Sequence, residues 1–355
     1  MAEKQVKVGI IGTGFMGKAH AEGYQLFNIE IGMFASRTAE KAQAVAEQFG
    51  VARWTDHWLD LIRDPEIDCV DITVPNHLHY EMAMACIEAG KPFLIEKPLA
   101  RNTEEGEAIV RAAKEKGIVA VYAENMRFKP ALIRTKELVD EGAFGKVLML
   151  RSNEIHNGPF HSPWFWDANL TGGGAAIDMG IHGVNTLEWI MGSKIKRVYA
   201  ETEVLKWKEH CKNGAEDSAM AVLRFENGGM AEIVISWAIS GGMDVRLEVF
   251  GDQGTAYVST THEAGGLRIY SQNGYGKSYE EEASLKPHVV PTKGWSFPAP
   301  KDVIQQGHAF EVKHFIDCVR GKVQPSSTLE DGLRALKVVE AMYRSAKTGM
   351  AVEVQ

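Results

Sequence analysis

At 355 residues the chain is long enough for about two domains, and 45% hydrophobic with 24% charged residues is the composition of an ordinary soluble globular protein. A net charge of −8 without a basic stripe argues against a sequence-independent grip on nucleic acid. No run of eighteen apolar residues is present, which argues against a membrane-spanning helix. Four cysteines, Cys69, Cys86, Cys211 and Cys318, stand far apart with no C-x-x-C, as core thiols of a reducing cytosol do. The chain enters its first strand directly, with no signal-peptide pattern ahead of it, so a cytoplasmic protein is expected.

The first third alternates strand and helix patterns. Apolar runs occupy Val6–Ile11, Glu30–Ala35, Cys69–Val74, Pro92–Glu96 and Val119–Ala123. Helical patterns lie between them at Gly17–Phe27, Ala39–Phe49, His77–Ala89 and Glu104–Lys116. Continuous apolar strands alternating with amphipathic helices predict a doubly wound parallel sheet covered on both faces. Gly50, Gly90 and Gly117 are placed to end helices. Ligands of such sheets bind beyond the carboxyl ends of the strands, so the residues just after each strand carry the information.

After the first strand comes Gly12-Thr13-Gly14-Phe15-Met16-Gly17, a G-x-G-x-x-G between strand and helix. In that context the motif points to a dinucleotide. Gly12 allows the turn, Gly14 lets a pyrophosphate approach the backbone, and Gly17 lets helix pack on strand. The helix start then offers free N–H groups to the phosphates. After the second strand stands Ser36-Arg37-Thr38, where an NAD site usually has an acid for the ribose hydroxyls. A hydroxyl and Arg37, with Lys41 one turn on, suit a 2′-phosphate, so NADP(H) is favoured and NAD(H) remains open. Arg37 as a solvated loop residue is the plainer alternative.

Thr73-Val74-Pro75-Asn76-His77-Leu78-His79 follows the third run, with Asn76 placed as a helix cap. His77 and His79, at i, i+2, point to different helix faces and make a poor metal pair. Glu96-Lys97-Pro98 follows the fourth run. Pro98 biases Lys97 to an extended backbone and permits a cis bond, and a desolvated lysine can hold a hydroxyl oxygen or exchange a proton. A structural Glu–Lys pair is the alternative.

From about residue 126 the pattern changes. A helix over Pro130–Gly142 is followed by period-two strands at Lys146–Ile155, Lys196–Leu205, Ser218–Phe225, Met230–Trp237 and Asp244–Phe250, which predict a large open, mainly antiparallel sheet. A second subunit is the expected cover of its other face, giving a homodimer or homotetramer. We therefore divide the chain into a dinucleotide-binding domain, 1–125, and a substrate-binding and oligomerisation domain, 126–355, whose last helix can pack back on the first. Within the second domain, His156 to Asp167 interrupts the sheet pattern with His161, Trp164 and Trp166, and Thr171 to His182 follows. Asp178 and His182, at i, i+4 on a predicted helix, project from one face. A carboxylate beside histidine makes a proton acceptor for an alcohol, and the two tryptophans offer apolar faces to sugar C–H groups. A helix-surface pair, a metal site and core tryptophans are the alternatives. Residues 263–300 read as weak strands and a long loop suited to a lid. Helices are expected at Gly307–Arg320 and Leu329–Lys347.

With these residues in hand, the sequence resembles the Gfo/Idh/MocA family of NAD(P)-dependent oxidoreductases. The likeness rests on Gly12-x-Gly14-x-x-Gly17-x-x-His20, Pro75-Asn76-x-x-His79, Glu96-Lys97-Pro98, Arg127-Phe128-x-Pro130 and Gly173-Gly174-x-x-x-Asp178-x-Gly180-x-His182. The resemblance implies a Rossmann domain, a C-terminal α/β domain used for assembly, and a catalytic group of Lys97, Asp178 and His182. Lys97 would hold the reacting oxygen and His182 would be the acid/base oriented by Asp178, although members of the family divide this labour differently. The cofactor side comprises the glycine turn, Ser36, Arg37, Lys41, Thr73, Pro75, Asn76, His79, Glu96, Lys97 and Asn125. The substrate side comprises Lys97, Arg127, Trp164, Trp166, Asp178 and His182. Typical substrates are sugars and cyclitols, and no metal is expected. Three other readings stay open: a cofactor-retaining glycosidase or epimerase, a nucleotide-sensing regulator, and a metal enzyme using Asp178, His182 and His156 or His161.

Overall fold

The computed structural model describes residues 5–240, 243–260, 267–275, 293–296 and 307–355. In chain order, the first part of the chain forms β1 (Lys7–Ile11), α1 (Phe15–Leu26), β2 (Glu30–Ala35), α2 (Ala39–Gln48), β3 (Trp54–Thr55), α3 (Trp58–Arg63) and β4 (Cys69–Ile72). It continues with α4 (His79–Glu88), β5 (Phe93–Glu96), α5 (Thr103–Lys116) and β6 (Ala120–Ala123). Then come α6 (Pro130–Asp140), β7 (Val147–Ile155), the short α7 (Ala168–Thr171), α8 (Ile181–Met191), β8 (Ile195–Glu203), β9 (Ser218–Phe225) and β10 (Met230–Ser236). The rest is β11 (Asp244–Gly251), β12 (Gly254–Ser259), β13 (Leu267–Ser271), β14 (Gly294–Ser296), α9 (His308–Val319), α10 (Leu329–Thr348) and β15 (Val352–Glu353). Within the stretch 263–300, residues 267–275 with β13 and 293–296 with β14 are described, and the rest of the expected loop lies outside the described residues.

The chain divides into two compact units. The first holds Met1–Phe128, Asn169–Gly172 and Gln306–Leu336, and the second holds Lys129–Ala168, Gly173–Gln305 and Lys337–Gln355. This differs from the continuous division at residue 125, and packing explains the return of α9 to the first unit. Val312, Phe315 and Ile316 of α9 are buried in one core with Ala21 and Tyr24 of α1. A Cβ on Gly23 would lie 2.8 Å from Val312 Cγ2 and 3.0 Å from Ala309 Cα, so only glycine lets the two helices approach this closely.

In the first unit the sheet order is β3-β2-β1-β4-β5-β6 with parallel pairing throughout, the doubly wound order. The strands β4, β5 and β6 are buried at every residue, which is why they read as continuous apolar runs. Gly50, Gly90 and Gly117 each have φ near +65°, between +63° and +70°, and follow the helices they end.

In the second unit nine strands among the described residues run in the order β14-β13-β12-β11-β7-β10-β9-β8-β15. Only β7 and β10 pair in parallel. The burial pattern of β9 and β10 alternates, as the period-two sequence requires. On one face α8 is pressed against the sheet: a Cβ on Gly183 would lie 2.4 Å from Ile233 Cδ1 of β10 and 2.9 Å from Glu154 Cγ of β7. The opposite face exposes Tyr199, Met220 and Val222 by 41%, 62% and 55%.

Candidate active site

The three glycines after β1 meet three different demands. Gly12 has φ +111°, and a Cβ there would lie 2.3 Å from Thr73 O. A Cβ on Gly17 would lie 2.1 Å from Gly12 O. These two residues are required by the turn and by helix packing. Around Gly14 nothing lies within 4 Å of the Cβ position, so an added methyl would stand in open space. Gly14 is also the residue before the first turn of α1, where no side chain caps the helix and no acid sits in that turn. A helix start after a residue with no side chain, and open space at that residue, are what the close approach of a pyrophosphate needs.

Thr73 closes the turn from β4. Its N–H and its Oγ1 both donate to Ile11 O, at 2.8 and 3.0 Å. At the end of β2, Ser36 Oγ lies 2.8 Å from Thr13 Oγ1, tying the second strand end to the turn. Arg37 and Lys41 beyond it are exposed. Thr38 caps α2 through Lys41 N, so Thr38 and not a carboxylate starts this helix.

Asn76 does not cap the helix that follows it. It sits inside a 3-10 turn, Asn76–Leu78, and its Nδ2 donates to Thr171 O at 3.0 Å. His79 is fully buried, with Nδ1 2.7 Å from Pro98 O and Nε2 2.9 Å from Val74 O. Burial keeps its pKa below the ordinary imidazole value although both carbonyls favour a proton. His79 therefore braces the ends of β4 and β5 against each other. The Lys97–Pro98 bond it secures is cis, and Lys97 is half-buried. Glu96 is turned back into the protein, accepting Lys97 N at 3.0 Å through Oε2.

Glu96 belongs to a buried cluster that the sequence did not reveal. Its Oε1 lies 3.2 Å from His20 Nε2, and His20 Nδ1 lies 2.9 Å from Asp71 Oδ2. Burial opposes the charge on His20, yet Asp71 and Glu96 hold its pKa well above the usual value. Burial likewise opposes the charge on Glu96, and His20 holds it down to about 2. Glu311 of α9 lies 3.6 Å from His20 and is pushed up by burial. Residues 20, 96 and 311 are too far apart in sequence for any spacing rule to join them. Asn125 touches the same group, with Nδ2 3.1 Å from His308 Nε2. Arg127 pairs with Asp331 at 3.2 Å and donates to Ser326 O, which fastens the start of α10 within this unit.

In the second unit Asp178 stands in a π-turn, Ala176–Gly180, that leads into α8, so the i, i+4 stacking of a regular α-helix does not describe it. Such wide turns recur at functional sites. Asp178 is buried, and its Oδ2 accepts from Trp237 Nε1 at 3.1 Å and from His156 Nε2 at 3.4 Å. Gly158 N donates to His156 Nδ1 at 3.0 Å, which leaves the ring proton on Nε2 facing Asp178. His182, one residue into α8, is half-buried. The sequence reading gave His156 only a metal-ligand alternative and did not mark Trp237.

The start of this helix is held by Glu216. Its Oε2 accepts Gly174 N at 2.9 Å, its Oε1 accepts Ala176 N at 2.7 Å, and Tyr343 Oη donates to Oε1 at 3.2 Å. A Cβ on Gly174 would lie 1.9 Å from Glu216 O, and one on Gly173 would lie 2.0 Å from Tyr343 Oη, which accounts for these two glycines. Burial raises the Glu216 carboxyl to about 7 against the pull of these donors. Trp166 is 4% exposed, inside an aromatic cluster with Phe160, Trp207, His210 and Trp237, while Trp164 is half-buried and stacks on Phe165. The structure thus places Trp166 in a core and Trp164 in a half-buried stack on Phe165.

Residues 6–124 match the family model of an oxidoreductase family with an NAD-binding Rossmann fold, Gfo/Idh/MocA, and residues 132–257 match its C-terminal domain. The chain is 27% identical to levoglucosan dehydrogenase of Pseudarthrobacter phenanthrenivorans, covering 99% of this chain and 98% of that one. It is 31% identical to inositol 2-dehydrogenase 2 of Saccharopolyspora erythraea, covering 99% and 96%. The solved complex of levoglucosan dehydrogenase with NADH superimposes with a TM-score of 0.86 at 26% identity, over 99% of this chain and all of that one (100%). The open cradle at Gly14, the doubly wound order of the first sheet and the full-length likeness agree: the chain belongs to the Gfo/Idh/MocA family of oxidoreductases.

Proposed function

We propose that this protein is an NAD(P)(H)-dependent dehydrogenase or reductase that exchanges a hydride with a ring carbon of a sugar or cyclitol. The observation that carries the reading is the open space at the Cβ position of Gly14, at the helix start between β1 and α1. Relatives named as inositol and levoglucosan dehydrogenases support the substrate class. The dinucleotide, when bound, supplies or accepts the hydride at its nicotinamide ring. The chain's own residues do the rest. The N–H groups at the start of α1 hold the phosphates. Lys97, held half-buried beside the His79 brace, binds the reacting oxygen. His182 takes the hydroxyl proton during oxidation and returns it during reduction, and Asp178, whose Oδ2 accepts from His156 and Trp237, is the carboxylate of the group. Trp164 is the aromatic face offered to the sugar.

His182→Ala and Lys97→Ala are each expected to lower turnover about 10²–10⁴-fold while cofactor binding persists. A panel of sugars and inositols followed by cofactor absorbance reads this, and near-normal turnover in both variants refutes the assignment.

The Ser36-Arg37-Thr38 segment carries no carboxylate to hold a free 2′-hydroxyl, and Arg37 and Lys41 are exposed cations beside it. This supports NADP(H) as the preferred form, although the solved relative binds NADH. Titration of both cofactors is expected to show tighter NADP(H) binding, reversed by Arg37→Asp. Tighter NAD(H) binding by the parent overturns the preference.

A further inference from the structure

We propose that His20, Glu96, His308 and Glu311 form a closed site for one divalent transition-metal ion, with zinc the best fit. One donor atom from each residue lies within 4.8 Å of every other. His20 Nε2 is 3.2 Å from Glu96 Oε1 and 3.6 Å from Glu311 Oε2, and His308 Nδ1 is 3.8 Å from Glu311 Oε2. Four donors at tetrahedral zinc distances stand about 3.3 Å apart, so small side-chain movements complete the shell. The set comes from α1, β5 and α9, three elements that the sequence separates by almost three hundred residues.

Three observations point to an ion in addition to the spacing. Glu311 is fully buried, and neither of its carboxylate oxygens takes a hydrogen bond. His20 Nε2 is equally buried and lies off hydrogen-bond geometry, although Glu96 is near. On the other side of that ring, Nδ1 faces Asp71 Oδ2 at 2.9 Å, and Tyr24 Oη donates to the same oxygen at 3.0 Å. A carboxylate that accepts from one imidazole nitrogen and turns the other toward further ligands is the arrangement that orients metal-bound histidines. Glu96, Glu311 and Asp71 place three carboxylates around the two imidazoles, and buried carboxylates without a counter-charge are costly, so the site favours a cation. His308 is the ligand nearest solvent, 21% exposed, and offers the way in. All four positions are filled by the protein, so the ion would be structural and would fasten α9 to the strand end that carries Lys97.

The same charges can be balanced by protons shared among His20 and the carboxylates, and the experiment separates the two. The full-length protein is stripped with a chelator, incubated with Zn²⁺ and desalted, and metal content and melting temperature are measured. Near one equivalent retained per chain, with a raised melting temperature, is expected. Co²⁺ in place of Zn²⁺ should give the strong visible absorption of a four-coordinate site. His308→Ala and Glu311→Gln should each weaken retention at least tenfold. No retained metal and an unchanged melting temperature overturn the proposal in favour of shared protons. Equal retention in parent and variants overturns it in favour of adventitious binding elsewhere. Where a variant does not fold, the stoichiometry and cobalt spectrum of the parent still decide.

Discussion

Glu216 shows how one buried carboxylate can govern the segment that carries Asp178. Two backbone N–H groups and a phenol converge on it, yet burial raises its pKa to about 7 from an ordinary value of 4.5. In acid the group is protonated in the folded and unfolded chains alike, and its contribution is fully present. Between about pH 4.5 and 7 the unfolded chain ionises while the folded one resists, so stability is lost as pH rises through that window. A shift of this size amounts to about 3 kcal/mol. Urea denaturation at a series of pH values should therefore show the parent weakening across the window and Glu216→Gln, which cannot ionise, weakening less. Parallel curves for the two proteins would contradict the burial account.

At the scale of elements, the sequence was most legible where one local rule governs. In the first unit β4, β5 and β6 are buried throughout and β1 and β2 mostly so, and apolar runs located these five strands to within two residues. The short β3 and α3 were missed, because two and six residues are too few for a period to show. The glycine turn was legible because each glycine answers a separate steric demand within a few residues. The π-turn at Ala176–Gly180 was not, since its sequence carries the same apolar spacing as an α-helix start. Partners across long separations left no local trace: His156 and Trp237 beside Asp178, and Glu311 beside His20, are joined only by the fold. Arg127, read as a substrate residue, and His79, read as a cofactor residue, make structural ties within the first unit.

At the scale of the molecule, the open sheet of the second unit is the largest feature still seeking a counterpart. Tyr199, Met220, Val222 and Met230 are exposed apolar side chains on the neighbouring strands β8, β9 and β10, with Tyr199 paired to Val222 and with Arg224 and Glu232 standing among them. Patches of this kind on a twisted sheet mark interfaces, and we infer that a second copy covers this one. Sedimentation of the parent is expected to give a dimer or tetramer, and the double change Met220→Lys with Val222→Glu to give a smaller species with the fold retained. A monomeric parent would remove the inference. The alternation that exposes Val222 also buries Ala221 and Leu223 on either side of it, so consecutive residues of one strand serve opposite faces. Changes confined to the outward positions need not disturb α8 or the turn that holds Asp178. On that inference, the residues a second copy would meet and the residues that pack beneath α8 alternate along one strand, and either set can change in descent without the other.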